Sequence, residues 1–128
     1  ESGSNRILRL MRKRYTADLA ERVVRETAEA GIRVIFNIIV GFPGETEGDF
    51  KETKDFVSRC KKFAEHIELP VYLLLKGSYI YEHLDEFNIT PLSESDPDWQ
   101  AKWSTKDTQN TYALRRKRLE ELIAIRDQ

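Results

Sequence analysis

The sequence predicts an α/β fold in which parallel strands are flanked by helices. Two apolar runs, residues 33–40 (RVIFNIIV) and 67–75 (IELPVYLLL), have the length and the β-branched or aromatic content of strands. Between them lies a segment of helical period that opens on Thr46 and places Phe50, Phe56, Val57, Cys60, Phe63 and Ala64 at its apolar positions. Strand, helix and strand in this order form the parallel crossover unit. The first run is almost continuously apolar, which suits a parallel strand covered on both faces.

The elements around this unit follow from capping signals. Ser4 caps a helix over about residues 5–13, where Ile7, Leu8, Leu10 and Met11 recur at helical spacing. Thr16 caps a second helix with Leu19, Val23 and Thr27 along one face, and Gly31 stands where a left-handed C-terminal cap is expected. Glu47 and Asp49 favour the positive end of the helix that begins at Thr46. After the second run, Gly77-Ser78 turns the chain into a short helix over about residues 79–86. Residues 88–106 are rich in Ser, Asp, Pro and Thr and read as an irregular loop anchored by Trp99 and Trp103. A last helix runs from about residue 107, with Leu119, Leu122 and Ile123 at helical spacing. No internal repeat is present.

Composition narrows the function classes. At 128 residues the chain suits one domain with one core. Twenty-one Lys and Arg against 22 Asp and Glu leave a net charge of −1, a mixed-sign balance that does not select nucleic acid as a partner. The single cysteine, Cys60, allows no internal disulfide and is too few for a structural zinc or a cluster, which fits a reducing cytoplasm. No apolar stretch reaches the roughly 18 residues of a membrane-spanning helix, and Glu1-Ser2-Gly3-Ser4 is unlike a secretory signal. A first residue other than Met leads us to expect a chain cut from something longer.

The segment that could carry chemistry is Asn37-Ile38-Ile39-Val40-Gly41-Phe42-Pro43-Gly44-Glu45, where the first apolar run ends in a glycine-containing turn that opens onto a helix. Ligands of open parallel sheets sit at such carboxyl ends. Gly41 and Gly44 carry no side chain to keep a ligand from the backbone, and Pro43 stiffens the turn. The same pattern equally describes a tight strand-to-helix connection with no ligand.

Several blocks in order resemble consecutive motifs of the radical S-adenosylmethionine (SAM) enzymes. They are Glu1-Ser2-Gly3-Ser4-Asn5-Arg6-Ile7-Leu8, Met11-Arg12-Lys13 with Tyr15-Thr16, Ala30-Gly31-Ile32, and Ile39-Val40-Gly41-Phe42-Pro43-Gly44-Glu45-Thr46 with Asp49-Phe50. Lys76-Gly77-Ser78, Tyr81 and Phe87-Asn88-Ile89 are most similar to the cobalamin-binding branch, and methylthiotransferases acting on tRNA or a ribosomal protein share the Gly-Phe-Pro-Gly-Glu-Thr stretch. The resemblance implies a fragment of a (β/α) partial barrel, with residues 1–90 as its later strands and helices and 91–128 as a loop and helix packed on it. It implies SAM and a 4Fe-4S cluster in the intact parent, with cobalamin as a further possibility there. In the family a CxxxCxxC motif holds the cluster, and nothing in this chain matches it. The expectation is therefore a piece of an iron-sulfur oxidoreductase or methyltransferase-type enzyme that is inactive alone and keeps no cofactor bound. Its expected partners are the rest of the parent chain, an unidentified small-molecule substrate and, through an open strand edge, further copies of itself.

Carried over residue by residue, Glu1 matches the acidic position that meets the ribose or amino group of SAM, which a carboxylate suits as an acceptor. Read without the resemblance, Glu1 is a solvated terminus. Asn37, Ile39 and Gly41 match the strand that packs on adenine, followed by Pro43 and by Glu45, which sits one residue beyond the family spacing. Tyr72 and Leu74 match the strand that completes the adenine pocket, and both would also serve as ordinary core. No residue is assigned a catalytic or metal-binding role.

Other features have structural readings. Cys60 shares a helical face with Phe56 and Phe63 and reads as a buried, inert thiol. His66 reads as a turn residue and His83 as a solvated helix residue, without metal-site spacing. Arg12-Lys13-Arg14 and Arg115-Arg116-Lys117-Arg118 read as solvated helix faces. Two rivals of another class remain: a non-catalytic nucleotide or phosphate module using the helix start at Thr46, and a helical segment that binds RNA or a partner protein.

Overall fold

The computed structural model describes all 128 residues. In chain order it contains α1 (Asn5–Leu10), α2 (Ala17–Glu29), β1 (Ile35–Asn37), α3 (Glu47–Cys60) continued by a 3-10 turn (Lys61–Phe63), and β2 (His66–Glu68). There follow α4 (Tyr79–Glu82), β3 (Ile89–Thr90), β4 (Ser104–Thr105) and α5 (Tyr112–Arg126). Every α-helix begins at a Ser or Thr whose hydroxyl accepts a backbone N–H of its first turn: Ser4, Thr16, Thr46, Ser78 and Thr111. Each such cap stabilises its helix by about 1 kcal/mol. Thr111 starts α5 four residues later than the periodicity of the sequence suggests. No helix is long and apolar enough to cross a membrane.

Strands β1 and β2 pair in parallel, with Phe36 opposite Ile67, and β3 pairs antiparallel with β4 inside the segment expected to be irregular. The predicted crossover unit is therefore present, but both strands are shorter than the apolar runs. Ile38 N–H donates to Glu68 O at 2.9 Å and Val40 N–H to Pro70 O at 2.8 Å, so pairing continues past β1 in pieces. Pro70 can accept but has no N–H to give, which interrupts the ladder before the Val40–Val71 bridge.

The expectation that residues 33–40 are covered on both faces is corrected. Val34, Ile38 and Val40 are buried in a core with Leu8, Val24, Phe56, Val57, Ile67 and Leu122. On the opposite face Ile35 is 61% exposed, because this chain places helices against one side of the two-stranded sheet only. The stripe Leu19, Val23 and Thr27 on α2 is likewise left toward an open groove rather than the core, with Val23 52% exposed, while Ala17 and Val24 are the buried positions of the helix.

A second cluster, comprising Ile7, Phe42, Leu74, Ile80, Ile89 and Trp103, gathers beyond the carboxyl ends of β1 and β2. Trp103 is fully buried, as an anchor should be, and Trp99 packs partly on the same cluster. Cys60 is fully buried within the first core, and burial pushes its thiol up to about 11. His66 opens β2 and lies 3.2 Å from Glu68 rather than in a turn. His83 ends α4, where its exposed ring stacks on Tyr79 at 3.9 Å.

Candidate functional site

A cavity of about 310 Å³ opens at the carboxyl ends of the parallel strands. Glu1, Ile39 and Tyr72, three of the expected cofactor-binding residues, all line it, together with Met11, Phe42 and Tyr79. Phe42 and Tyr72 meet edge to face at 5.3 Å and form an aromatic wall, while Glu1, Arg12 and Lys13 carry charge at its rim. A larger groove of about 670 Å³ runs beside β1 and α2. It runs along the unpaired edge of β1 rather than at the carboxyl end of the strands, with Glu1, Thr27, Arg33 and Asn37 among a mostly apolar lining, so the smaller cavity is the candidate site.

Glu1 is not a frayed terminus. Its carbonyl accepts from Ile39 N–H at 2.9 Å, on the side of β1 opposite β2, and its carboxylate pairs with Lys13 at 2.6 Å. The Ser-Gly-Ser that follows is fastened to α3. Gly3 N–H donates to Thr53 Oγ1 at 3.0 Å and Ser4 Oγ to Asp49 Oδ1 at 2.7 Å. A Cβ on Gly3 would come within 2.6 Å of the backbone of Glu52 and Thr53, so only glycine lets the segment lie this close.

Asp49 is the hub of this attachment. It also accepts from Thr46 N–H and Thr46 Oγ1, each at 2.8 Å, and from Arg6. Burial works against its charge, yet the hydrogen bonds from Arg6, Ser4 and Thr46 hold its carboxyl well below the usual range. At the start of α3 this carboxylate takes the N–H and the hydroxyl of Thr46.

The other expected residues stand elsewhere. Asn37 is exposed and lines the larger groove, not the cavity. Gly41 is buried with φ +75, and its missing side chain makes room for protein rather than for ligand: an added Cβ would lie 2.3 Å from Arg115 Cγ. Pro43 is buried behind Phe42 in the chain and does not line the cavity. Glu45 is buried and points away to Arg118, whose Nη1 donates to its Oε1 at 2.8 Å. Burial raises the Glu45 carboxyl to about 7, opposed by Arg118 and by a hydrogen bond from the backbone N–H of Gly41. Glu45 therefore ties the turn together from behind.

The reading of Arg115 to Arg118 as a solvated face is corrected for two of the four. Arg115 is 0% and Arg118 2% exposed, and both lie against the turn. Their spacing with Leu122 is helical, so the signal was present, but a charged side chain argues for solvent unless its partners are known. Met11, Arg12 and Lys13 were legible as a motif without a role. In the structure Arg12, at φ +60, ends the α1 turn and lies 4.4 Å over the Tyr79 ring.

No three side chains of His, Cys, Asp or Glu converge as a metal site, and the one thiol lies in the core. The residues present do not fit an iron-sulfur cluster. They do fit the nucleoside part of a SAM-like ligand, with aromatic and aliphatic walls and a carboxylate beside two cations.

Comparison with known proteins places these observations. The profile of the Radical SAM superfamily matches residues 1–57. The tRNA-2-methylthio-N(6)-dimethylallyladenosine synthase of Thermotoga petrophila is 41% identical over 87 residues, 65% of this chain and 19% of that protein. The enzyme of that name from Petrotoga mobilis is 34% identical over 90 residues, 67% of this chain and 20% of its own. The threonylcarbamoyladenosine tRNA methylthiotransferase MtaB of Bacillus subtilis is 42% identical over 69 residues, 52% of this chain and 15% of its own. The matched stretch thus spans about a fifth or less of these relatives. Residues 1–57, which supply Glu1, Lys13, Ile39 and Phe42 to the cavity, are the part of the chain that matches the radical SAM superfamily.

Proposed function

We propose that this chain forms the SAM-binding and substrate-facing part of a radical SAM enzyme of the methylthiotransferase kind, with an adenosine of tRNA as the substrate class its relatives' names suggest. The observation that carries the reading is the convergence of Glu1, Ile39, Phe42 and Tyr72 on one cavity at the carboxyl ends of the strands. When bound, SAM supplies an adenosyl group for radical chemistry. The chain's own residues bind and orient it. Phe42, Ile39 and Tyr72 pack on the base, Glu1 accepts from hydroxyl or ammonium groups, and Lys13 and Arg12 face the ligand's carboxylate. Cluster donors come from outside these residues, and the open groove beside β1 receives the rest of the parent chain.

A second reading, the cobalamin-binding branch, draws on one observation. Gly77, at φ +82, turns the chain so that Ser78 caps α4, and Tyr79, Ile80 and Phe87 of this segment wall the cavity. This is the segment that resembles that branch.

The reading is tested by reconstituting the purified chain anaerobically with iron and sulfide. No iron-sulfur chromophore and no 5′-deoxyadenosine are expected after reduction. About four irons per chain, as a 4Fe-4S centre holds, would contradict the assignment of the cluster donors to other residues. Alongside, Phe42→Ala is expected to abolish measurable binding of S-adenosylhomocysteine, and unchanged binding would remove Phe42 from the site.

A further inference from the structure

Arg115 is a fully buried guanidinium whose hydrogen bonds reach no carboxylate. Its hydrogen bonds go instead to three uncharged oxygens: Asn110 Oδ1 at 3.0 Å, Ala101 O at 2.7 Å and Trp103 O at 2.6 Å. The guanidinium also stacks 3.7 Å over the Trp103 ring. A buried cation without an ionic partner is costly, and an apolar residue of similar volume is often as good for stability alone. Contact energy is therefore a poor account of this residue, whereas its geometry is informative.

Two of the groups around Arg115, Asn110 and Trp103, touch Phe42 and Tyr72 of the cavity wall. Arg115 Cγ and Cδ fill the space that only a glycine at position 41 leaves. Asn110, whose backbone N–H donates to Thr105 Oγ1 and whose side-chain oxygen accepts from Arg115, donates Nδ2 to the carbonyls of Gly41 and Phe42 at 3.1 and 3.3 Å. Trp103, under the guanidinium, meets Tyr72 edge to face at 5.7 Å, and Tyr72 meets Phe42 in the same way. One cation thus reaches both residues of the aromatic wall, through Asn110 to the Phe42 carbonyl and through Trp103 to the Tyr72 ring.

We infer that Arg115 and Asn110 are positioning residues of the cofactor site, acting through Phe42 and Tyr72 without touching the ligand. The inference rests on the reading of the cavity as the SAM pocket. It gives residues 101–115, outside the stretch that matches the family profile, a part in the site.

The test compares the unmodified chain with Asn110→Ala, Arg115→Lys and Leu122→Val. The last is a buried change on the same helix, within the first core rather than among the partners of Arg115. Two readouts are taken on each: the Phe42 and Tyr72 ring signals and their mutual nuclear Overhauser contact without ligand, and the affinity for S-adenosylhomocysteine by NMR titration. Asn110→Ala and Arg115→Lys are expected to shift both ring signals, weaken their contact and lower affinity by about tenfold, the equivalent of one or two well-placed hydrogen bonds. Leu122→Val should lower thermal stability and leave both readouts in place. Equal loss of affinity in Leu122→Val would make the effect one of stability and overturn the inference, as would unmoved rings in both other variants. If the unmodified chain binds no S-adenosylhomocysteine, the pocket reading fails separately, and the ring signals alone decide whether Arg115 and Asn110 position the wall.

Discussion

Asp49→Ala is expected to cost this protein about 3 kcal/mol of folding stability, summing about 1 for the lost cap of α3 and about 2 for the buried Ser4 hydroxyl left without an acceptor. The Arg6 partner adds little, because that guanidinium is half exposed and screened by water. Thermal unfolding should shift down by about 10 °C for a chain of this size. The same carboxyl governs acid sensitivity. Its pKa is lowered by folding, so its contribution is complete above the unfolded value near about 4 and is lost as pH falls below it toward the folded value. The variant should therefore show a flatter stability profile between about pH 4 and 2 than the unmodified chain. A loss below about 1 kcal/mol, the worth of a cap alone, would mean that the segment 1–4 is held by something other than this hub.

Gly41→Ala is expected to be of similar size for a different reason. A residue with a side chain costs about 1–2 kcal/mol at positive φ, and forcing a methyl into a filled space costs about 1–3 more. Here the methyl would fall 2.3 Å from Arg115 Cγ, closer than real contacts allow. Shortening the obstacle should recover part of the loss: in the pair Gly41→Ala with Arg115→Ala, the combined destabilisation should be smaller than the sum of the single changes. Strict additivity in chemical denaturation would show that the two residues do not press on each other. The measurement also separates the two uses of the glycine, since a ligand-facing Gly41 would lose binding without losing stability.

The parts of this structure that were legible in the sequence are those set by local chemistry. Ser4, Thr16, Thr46 and Ser78 announce helix starts because a hydroxyl one residue before a helix satisfies an orphan N–H. Gly31 ends α2 at φ +80 as a left-handed cap should. Cys60 could be placed in the core from the phenylalanines on its face. The lining of the cavity was legible where a residue lies at a strand end, as Ile39 and Tyr72 do. A role that depends on a distant element was not legible. Glu45 and Gly41 look like ligand-facing residues of a short turn until α5 is brought against them, and Arg115 and Arg118 look solvated until the turn is brought against α5. The same limit explains Leu19 and Val23, whose apolar stripe has a face to cover that this chain does not supply.

The central claim is that the cavity between Glu1, Ile39, Phe42 and Tyr72 receives the adenosyl group. A titration with S-adenosylhomocysteine followed through backbone amide NMR signals tests it most directly. An affinity of about 1 mM is expected, corresponding to about −4 kcal/mol and too weak to survive purification. The amides of Ile39, Phe42 and Tyr72 should shift together and saturably, while those of Val23 and Ile35 in the open groove stay in place. Saturable shifts confined to the groove, or none at all at several millimolar ligand, would contradict the account.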